Sequence, residues 1–275
     1  MNLQSRVKLS SGYEMPILGL GVFKAQGEEA YNAVRWALDA GYRLIDTAAY
    51  YGNEESVGKA VRESGIPREE LFVTTKLWNQ RIRDHEEEAA FEESLKKLGI
   101  GYIDLFLIHW PVREERGYLR AWSVLERLQR GEKLRSIGVS NYNIHHLEDV
   151  LRSCEIKPAV NQVECHPELS QTELAAFCQK NGIVFEPWSP LGRGKVLGDP
   201  ALAAIAAAHG KSPAQIVLRW GLQRGFVNIP KSVHKERILE NADLFGFELS
   251  EAEMERIFAL NKGARIGADP ESFPF

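Results

Sequence analysis

Cysteine is scarce in this 275-residue chain: Cys154, Cys165 and Cys178 are odd in number and form no CxxC pair. That excludes a disulfide framework and a cysteine-based zinc site, and no metal is expected. Long apolar runs are missing as well. The longest, Ala201–Ala208, falls far short of the roughly 20 residues a membrane helix needs. Basic residues do not dominate: 34 Lys and Arg against 38 Asp and Glu leave a formal charge of −4, so no nucleic-acid partner is expected. Charges are scattered from Arg6 onward with no apolar signal core, so a cytoplasmic location is expected. What is present is ordinary for a globular protein, with 44% hydrophobic and 26% charged residues. A chain of this length buries roughly 75% of its unfolded surface. It needs no staple or partner to fold, and a monomer is expected.

Strand-like and helix-like patterns alternate from end to end. Apolar, β-branched runs at 17–23, 42–47, 71–76, 103–109, 134–140, 159–164, 183–187 and 226–229 give eight candidate strands. Ala30, Val34, Ala37 and Leu38 predict a helix over 28–40, with Gly41 at its C-terminal end. Capping-box spacing marks helix starts at Asp84 with Glu87, Ser170 with Glu173 and Ser212 with Gln215, and Pro213 takes the first helical position of the last. Short apolar strands separated by helices imply crossovers and a parallel sheet. Eight such units fit an α/β fold of the (β/α)8 TIM barrel type better than a doubly wound sheet. Val7–Leu9 and Met15–Pro16 flank Ser11-Gly12 and read as an N-terminal β-hairpin closing the barrel floor. No linker or repeat interrupts the pattern, so residues 1–275 read as a single domain.

A barrel places its chemistry at the C-terminal ends of its strands. The second candidate strand ends in Asp46, with Tyr51 in the following loop; the third ends in Lys76 and the fourth in His109. Alternation puts Lys76 on the side of Phe72 and Thr74, and His109 on the side of Leu105 and Leu107. Each alone also reads as structural: a salt-bridge partner, rim packing beside Tyr50, or a hydrogen-bonded core histidine. Together at consecutive strand ends they suggest proton transfer. A phenol titrates near pH 10, and a nearby ammonium lowers that value. Asp46 would hold Lys76, Tyr51 would act as general acid on a carbonyl oxygen, and His109 would orient it. With a proton donor but no hydride donor in the chain, a reduction implies a hydride cofactor.

The glycine-rich dinucleotide fingerprint is absent. Gly19-Leu20-Gly21 begins like GxGxxG, but Lys24 stands where the third glycine belongs. In barrels, phosphates sit on the loops after strands seven and eight. The first of these is Trp188-Ser189-Pro190-Leu191-Gly192-Arg193-Gly194-Lys195; the second is Ile229-Pro230-Lys231-Ser232-Val233, followed by Arg237, Glu240 and Asn241. Lys231, Ser232 and Arg237 offer two cations and a hydroxyl, suited to the 2′-phosphate that distinguishes NADPH from NADH. Ser140, Asn141 and Gln162 could read a carboxamide while Trp188 stacks on a nicotinamide. Either loop also reads as a solvated rim, and Gln162 as a satisfied interior amide.

The motifs Gly41-Tyr42-Arg43-Leu44-Ile45-Asp46-Thr47-Ala48, Tyr51-Gly52-Asn53-Glu54, Thr75-Lys76-Leu77-Trp78, Asp104-Leu105-Phe106-Leu107-Ile108-His109-Trp110-Pro111, Gly138-Val139-Ser140-Asn141, Asn161-Gln162-Val163-Glu164, Trp188-Ser189-Pro190-Leu191-Gly192 and Ile229-Pro230-Lys231-Ser232 run through most of the chain in this order. The sequence resembles the aldo-keto reductases. The resemblance implies a catalytic tetrad of Asp46, Tyr51, Lys76 and His109, and an NADPH/NADP+ site. In that site Ser140, Asn141 and Gln162 hold the carboxamide, Trp188 stacks, and Ser189, Leu191 and Gly192 follow the pyrophosphate. Lys231, Ser232 and Arg237 take the 2′-phosphate, Glu240 and Asn241 the adenine, and Val22 and Val233 complete the cofactor set. Trp188 stands where many relatives have tyrosine. The short tail ending Phe273-Pro274-Phe275 is similar to the compact microbial branch, with its diketogluconate reductases, glyoxal reductases and prostaglandin F synthase-like enzymes.

The expected reaction is NADPH-dependent reduction of an aldehyde or ketone, among them dicarbonyls or keto-sugars. Phe23, Trp78, His109 and Trp110 would contact the small-molecule carbonyl substrate, with Val22 beside them and Phe273 or Phe275 closing the pocket. The alternative is an NADPH-binding redox sensor or structural barrel with slow turnover. A barrel hydrolase or isomerase lacks paired carboxylates, although Glu164 and His166 lie near one strand end.

Overall fold

The computed structural model describes residues 1–273. Among them nine strands form: β1 (Arg6–Lys8), β2 (Glu14–Pro16), β3 (Leu20–Gly21), β4 (Leu44–Asp46), β5 (Phe72–Leu77), β6 (Ile103–Ile108), β7 (Leu134–Ser140), β8 (Val160–Glu164) and β9 (Val184–Trp188). Eleven α-helices accompany them among the same residues: α1 (Gly27–Asp39), α2 (Glu54–Arg62), α3 (Asn79–Arg83), α4 (Glu87–Leu98), α5 (Gly117–Gln129), α6 (Ile144–Ser153), α7 (Thr172–Asn181), α8 (Pro200–His209), α9 (Pro213–Gln223), α10 (Lys235–Ala242) and α11 (Glu251–Phe258). Strands β3 to β9 pair in sequence order, each parallel to the next. None of the described helices is long and apolar enough to cross a membrane.

The expected eighth barrel strand takes part without becoming a regular strand. Residues 227–231 join the ring on both sides: the Val227 amide donates to the Phe185 carbonyl, and the Asn228 amide to the Ile17 carbonyl. From the other edge the amides of Gly19 and Gly21 donate to the carbonyls of Asn228 and Pro230 at 2.8 and 3.2 Å. The rung missing from this alternation belongs to Pro230, which has no N–H. The glycines serve the same closure. A Cβ on Gly21 would stand 3.0 Å from the Ile229 carbonyl oxygen, and one on Gly19 would overlap Leu44. They let the first and last strands meet, which is why they open no phosphate loop.

The N-terminal hairpin forms as expected, with Val7 opposite Met15. Met15 and Leu9 are buried with Leu44, Phe72, Leu105, Leu107, Val160 and Ile229, so the hairpin plugs the lower barrel and leaves the strands' C-terminal ends open. A separate apolar layer lies between sheet and helices. On α1 the buried positions Ala30, Ala33, Val34, Ala37 and Leu38 form one stripe that seats the helix there. Ser212 and Gln215 form the predicted capping box, with Pro213 behind them. The other two helix starts differ. Asp84 closes α3, and α4 begins after Glu86; α7 begins after Gln171, while the Ser170 hydroxyl pairs with that of Thr172. In both places a residue in the left-handed region, His85 or Gln171, separates the matching sequence pattern from the helix start.

Candidate active site

At the open end of the barrel, a cavity of about 360 Å³ is lined by Asp46, Tyr51, His109, Gln162, Trp188, Lys231 and a ring of aromatic residues. Lys76 lies beneath it, fully buried. Its ammonium donates to Asp46 Oδ1 and Oδ2 at 2.7 and 2.8 Å and to the Thr47 carbonyl at 2.7 Å. Burial opposes the charge, but Asp46, joined by Tyr51 and Glu186, outweighs it, and the Lys76 pKa stands above its ordinary value. The ammonium lies 5.1 Å from the centroid of the Tyr51 ring.

Tyr51 ends a single turn after β4, held by a bond from its amide to the Ala48 carbonyl and by Gln26 Nε2 donating to its own carbonyl. Asn53 ties this loop to the one after β3. Its Nδ2 donates to the carbonyls of Val22 and Ala25, while Thr47 Oγ1 donates to its Oδ1 at 2.5 Å. The expectation that Lys76 lowers the Tyr51 pKa meets a competing effect. Desolvation of the phenol raises it, the Lys76 ammonium pulls it back, and the net shift is upward. The phenol is therefore protonated at neutral pH. His109 is driven well below the usual histidine value, first by burial and then by the Lys76 charge. It is neutral, and its buried Nδ1 has no partner among the described residues.

The polar side of the cavity is a connected set of amides. Ser140 Oγ donates to the Gln162 carbonyl at 2.8 Å. Asn141, in the left-handed region at φ 64°, donates through Nδ2 to the His109 carbonyl and to Ser140 Oγ, and its Oδ1 accepts from Trp188 Nε1 at 2.8 Å. Strain of this kind in a non-glycine residue persists where its surroundings fix it. Gln162 Nε2 donates to Asp46 Oδ2 at 2.8 Å and to Glu186 Oε2 at 2.9 Å. The Asp46 carboxylate, already bound to the Lys76 ammonium, only accepts, so the nitrogen rather than the oxygen of the Gln162 amide must face it.

The opposite wall is aromatic. Tyr50 stacks on Trp78 at 3.9 Å between centroids, Trp110 on Phe273 at 4.0 Å, and Phe23 tilts against Tyr51 at 5.0 Å. Phe273 closes the pocket as expected; Phe275 lies outside the described residues. From the C-terminal segment, the amides of Ile266 and Gly267 donate to Glu164 Oε1 and Oε2 at 2.6 and 3.0 Å. Glu164 thus straps this segment beside Trp188 rather than serving as a rim acid.

The loop after β9 turns tightly, with Ser189, Gly192, Arg193 and Gly194 all at positive φ. Ser189 and Arg193 face the cavity, while Leu191 packs into the apolar layer and Gly192 is buried. Lys231 and Arg237 are exposed. Among the described residues the charged ends of Lys231, Arg237, Arg193 and Lys195 make no hydrogen bond or ion pair with another side chain. Ser232 is buried and bonds with the backbone of His234. Val233 packs against the apolar layer and Asn241 is buried. Glu240 is already engaged by Ser212 Oγ, so only part of its carboxylate remains for a ligand. Val22, next to Phe23, is fully buried, its amide bonded to the Asp46 carbonyl.

Tyr50 and Glu186 escaped the reading by strand ends. Tyr50 had a signal in its position beside Tyr51. Glu186 had one in alternation, which puts it on the face of Trp188 within an otherwise apolar strand. His145, His146 and Glu271 bring potential ligand atoms within 4.8 Å of one another. However, His146 Nδ1 accepts from the Asn143 amide, so its Nε2 carries a proton and offers a metal no lone pair.

Residues 17–262 match the Aldo/keto reductase family. The chain is 52% identical to a glyoxal reductase of Bacillus subtilis, covering 100% of this chain and 99% of that protein. It superposes with a TM-score of 0.95 on an aldo-keto reductase from a Medee basin deep-sea metagenome library, at 45% identity over 98% of this chain and 100% of that one. It superposes with a TM-score of 0.94 on a point mutant of Gox0644 in complex with NADPH, at 41% identity over 99% of each chain.

Proposed function

The chain belongs to the aldo/keto reductase family and is an NADPH-dependent oxidoreductase that reduces aldehydes and ketones to alcohols; we propose that Tyr51 is its general acid, supported by Lys76, Asp46 and His109. The observation that carries this reading is the fully buried Lys76 ammonium, anchored on both oxygens of Asp46 and 5.1 Å from the Tyr51 ring. It faces a phenol held protonated and an imidazole held neutral.

The residues present fit NADPH. Ser140, Asn141 and Gln162 line the cavity with their donors committed within the network, so what they have left to offer a carboxamide NH2 is acceptor capacity on their side-chain oxygens. The cations at Arg193, Lys231 and Arg237 are free of protein partners among the described residues, as phosphates require. Ser140, Asn141 and Gln162 would hold the carboxamide, Trp188 would stack on the ring, and Val22, Ser189, Leu191 and Gly192 would border the nicotinamide and pyrophosphate. Lys231, Ser232 and Arg237 would take the 2′-phosphate, with Val233, Glu240 and Asn241 around the adenosine. Bound NADPH supplies the hydride.

The chain's own part begins at the carbonyl oxygen. Tyr51 and His109 converge there from one side of the cavity, their rings 5.7 Å apart. Tyr51 gives the oxygen its proton as negative charge develops, and the Lys76 ammonium stabilises the phenolate left behind. His109, being neutral, orients the carbonyl without competing for that proton. The aromatic wall of Phe23, Trp78 and Trp110, with Tyr50 and Phe273, excludes water and carries no charge, which favours uncharged carbonyls over keto-acids. On the same reading residues 1–275 act as one domain and as a monomer in the cytoplasm; light scattering on the purified protein checks the oligomeric state.

Tyr51→Phe tests the assignment. It is expected to lower turnover by about 10²–10⁴ while leaving NADP+ affinity within about twofold. Full activity in this variant would remove Tyr51 from its role.

A further inference from the structure

One ionisable group in the barrel interior has no part in the chemistry above. Glu186 lies in the middle of β9, fully buried, in register with Gln162 on β8. Its Oε2 accepts from Gln162 Nε2 at 2.9 Å, and its Oε1 has no partner among the described residues. The same amide nitrogen serves Asp46 at 2.8 Å, so two carboxyl groups share one donor group. The interior cation nearby is committed elsewhere, since Lys76 directs its protons to Asp46 Oδ1, Asp46 Oδ2 and the Thr47 carbonyl. The next residues inward on β8 and β9 are Val160 and Val184.

We infer that Glu186 is a positioning residue held as a neutral carboxylic acid beneath the site, which leaves Asp46 as the single counter-charge of the Lys76 ammonium. An ionised Glu186 would be a buried anion with one bare oxygen beside a second carboxylate, an arrangement that protonation relieves. The pKa agrees: burial first, and the Asp46 charge second, push it up to about 8, against opposing pulls from Gln162 and Lys76. The charged and titratable groups acting on it are Asp46 from β4, Lys76 from β5 and Tyr51 from the loop after β4; its β8 neighbour, Gln162, is neutral. Above about pH 8, Glu186 gives its proton to solvent. A second negative charge then acts on Tyr51 and holds the phenol proton more tightly. Glu186 thereby sets the alkaline edge of the acid–base cycle without touching substrate.

Glu186→Gln keeps the size and the acceptor oxygen for Gln162 but cannot ionise. In the folded state Glu186 keeps a proton that the unfolded chain releases near pH 4.3. Wild-type stability is therefore lost relative to the variant as pH rises from about 4.5 to about 8. Urea unfolding of both proteins across that range is expected to show the difference growing with pH; a constant difference overturns the inference. Should the variant not fold, wild-type protein carrying ¹³C at its glutamate carboxyls provides the same test: one resonance keeps the protonated-acid shift above pH 6, and its absence overturns the inference. Where both can be measured, persistence of that resonance in Glu186→Gln also overturns it. These two readouts do not depend on the role of Tyr51. A third rests on the proposed reaction: the alkaline limb of alcohol oxidation should move to lower pH by about one unit in Glu186→Gln. An unmoved limb beside a confirmed neutral Glu186 removes its influence on Tyr51, whereas a limb that survives Tyr51→Phe removes Tyr51 from the reaction.

Discussion

The ammonium of Lys76 bridges both carboxylate oxygens of Asp46, at 2.7 and 2.8 Å, in an interior where both residues are buried. Removing one partner leaves a charge without compensation, at a cost of about 3–5 kcal/mol. Lys76→Met and Asp46→Asn should each lower unfolding stability by about that amount, read from urea titrations. The double variant should recover much of it, because neither charge remains. Activity should not recover with it, since Tyr51 then faces no cation. Additive losses of stability would show that the two groups do not act as a pair.

Two buried histidines make the fold sensitive to acid. His109 is held well below its ordinary value by burial and then by Lys76, and His146 is lowered to about 4, chiefly by burial. In the unfolded chain both take up protons near pH 6.5, whereas in the folded protein they do not. Protons therefore favour the unfolded state, and stability falls as pH drops below about 6.5 toward 4. Unfolding titrations at intervals over that range should show the decline, and His109→Gln and His146→Asn should each remove part of it. An unchanged slope in either variant would mean that its histidine is protonated in the folded state.

The grouping of Asp46, Tyr51, Lys76 and His109 was legible because strand C-terminal ends are recognisable in sequence. Asp46, Lys76 and His109 each close an apolar run, and the fold brings them together with Tyr51. Glu186 was hidden by the same logic, being two residues short of the end of β9. The burial of the Tyr51 phenol was not legible. The sequence shows an ammonium that can lower the Tyr51 pKa, but the competing desolvation depends on how the loop after β4 packs. The run 226–229 reads as a strand, but its residue types do not say which amides the ladder requires, and Pro230, lacking an N–H, leaves one rung of the last edge unmade. Asp84 and Ser170 have capping-box spacing, yet a residue in the left-handed region, His85 or Gln171, intervenes before each helix starts.

Lys231 and Arg237 are exposed cations with no protein partner among the described residues. NADPH carries a 2′-phosphate that NADH lacks. Losing two charge-assisted contacts, each worth about 1.5–3 kcal/mol, should weaken NADPH binding by at least about a hundredfold in the Lys231→Ala, Arg237→Ala double variant. NADH binding should stay within about twofold. Titrations followed by tryptophan fluorescence would measure both, and equal losses for the two cofactors would place the 2′-phosphate elsewhere.

Gly267 tests the strap beside Trp188. A Cβ at this position would stand 2.4 Å from Trp188 Cη2 and 3.2 Å from Glu164 Oε2. The indole cannot withdraw freely, because its Nε1 donates to Asn141 Oδ1 at 2.8 Å. Gly267 is also fixed from behind by its amide bond to Glu164 Oε2 at 3.0 Å. Gly267→Ala must therefore either turn the ring and break its bond to Asn141 or lift the strap from Glu164. The overpacking should cost about 1–3 kcal/mol of stability. A misplaced stacking face should weaken NADP+ binding by about tenfold, the order of one aromatic contact. If stability falls but NADP+ affinity is unchanged, the Trp188 ring does not form the nicotinamide platform.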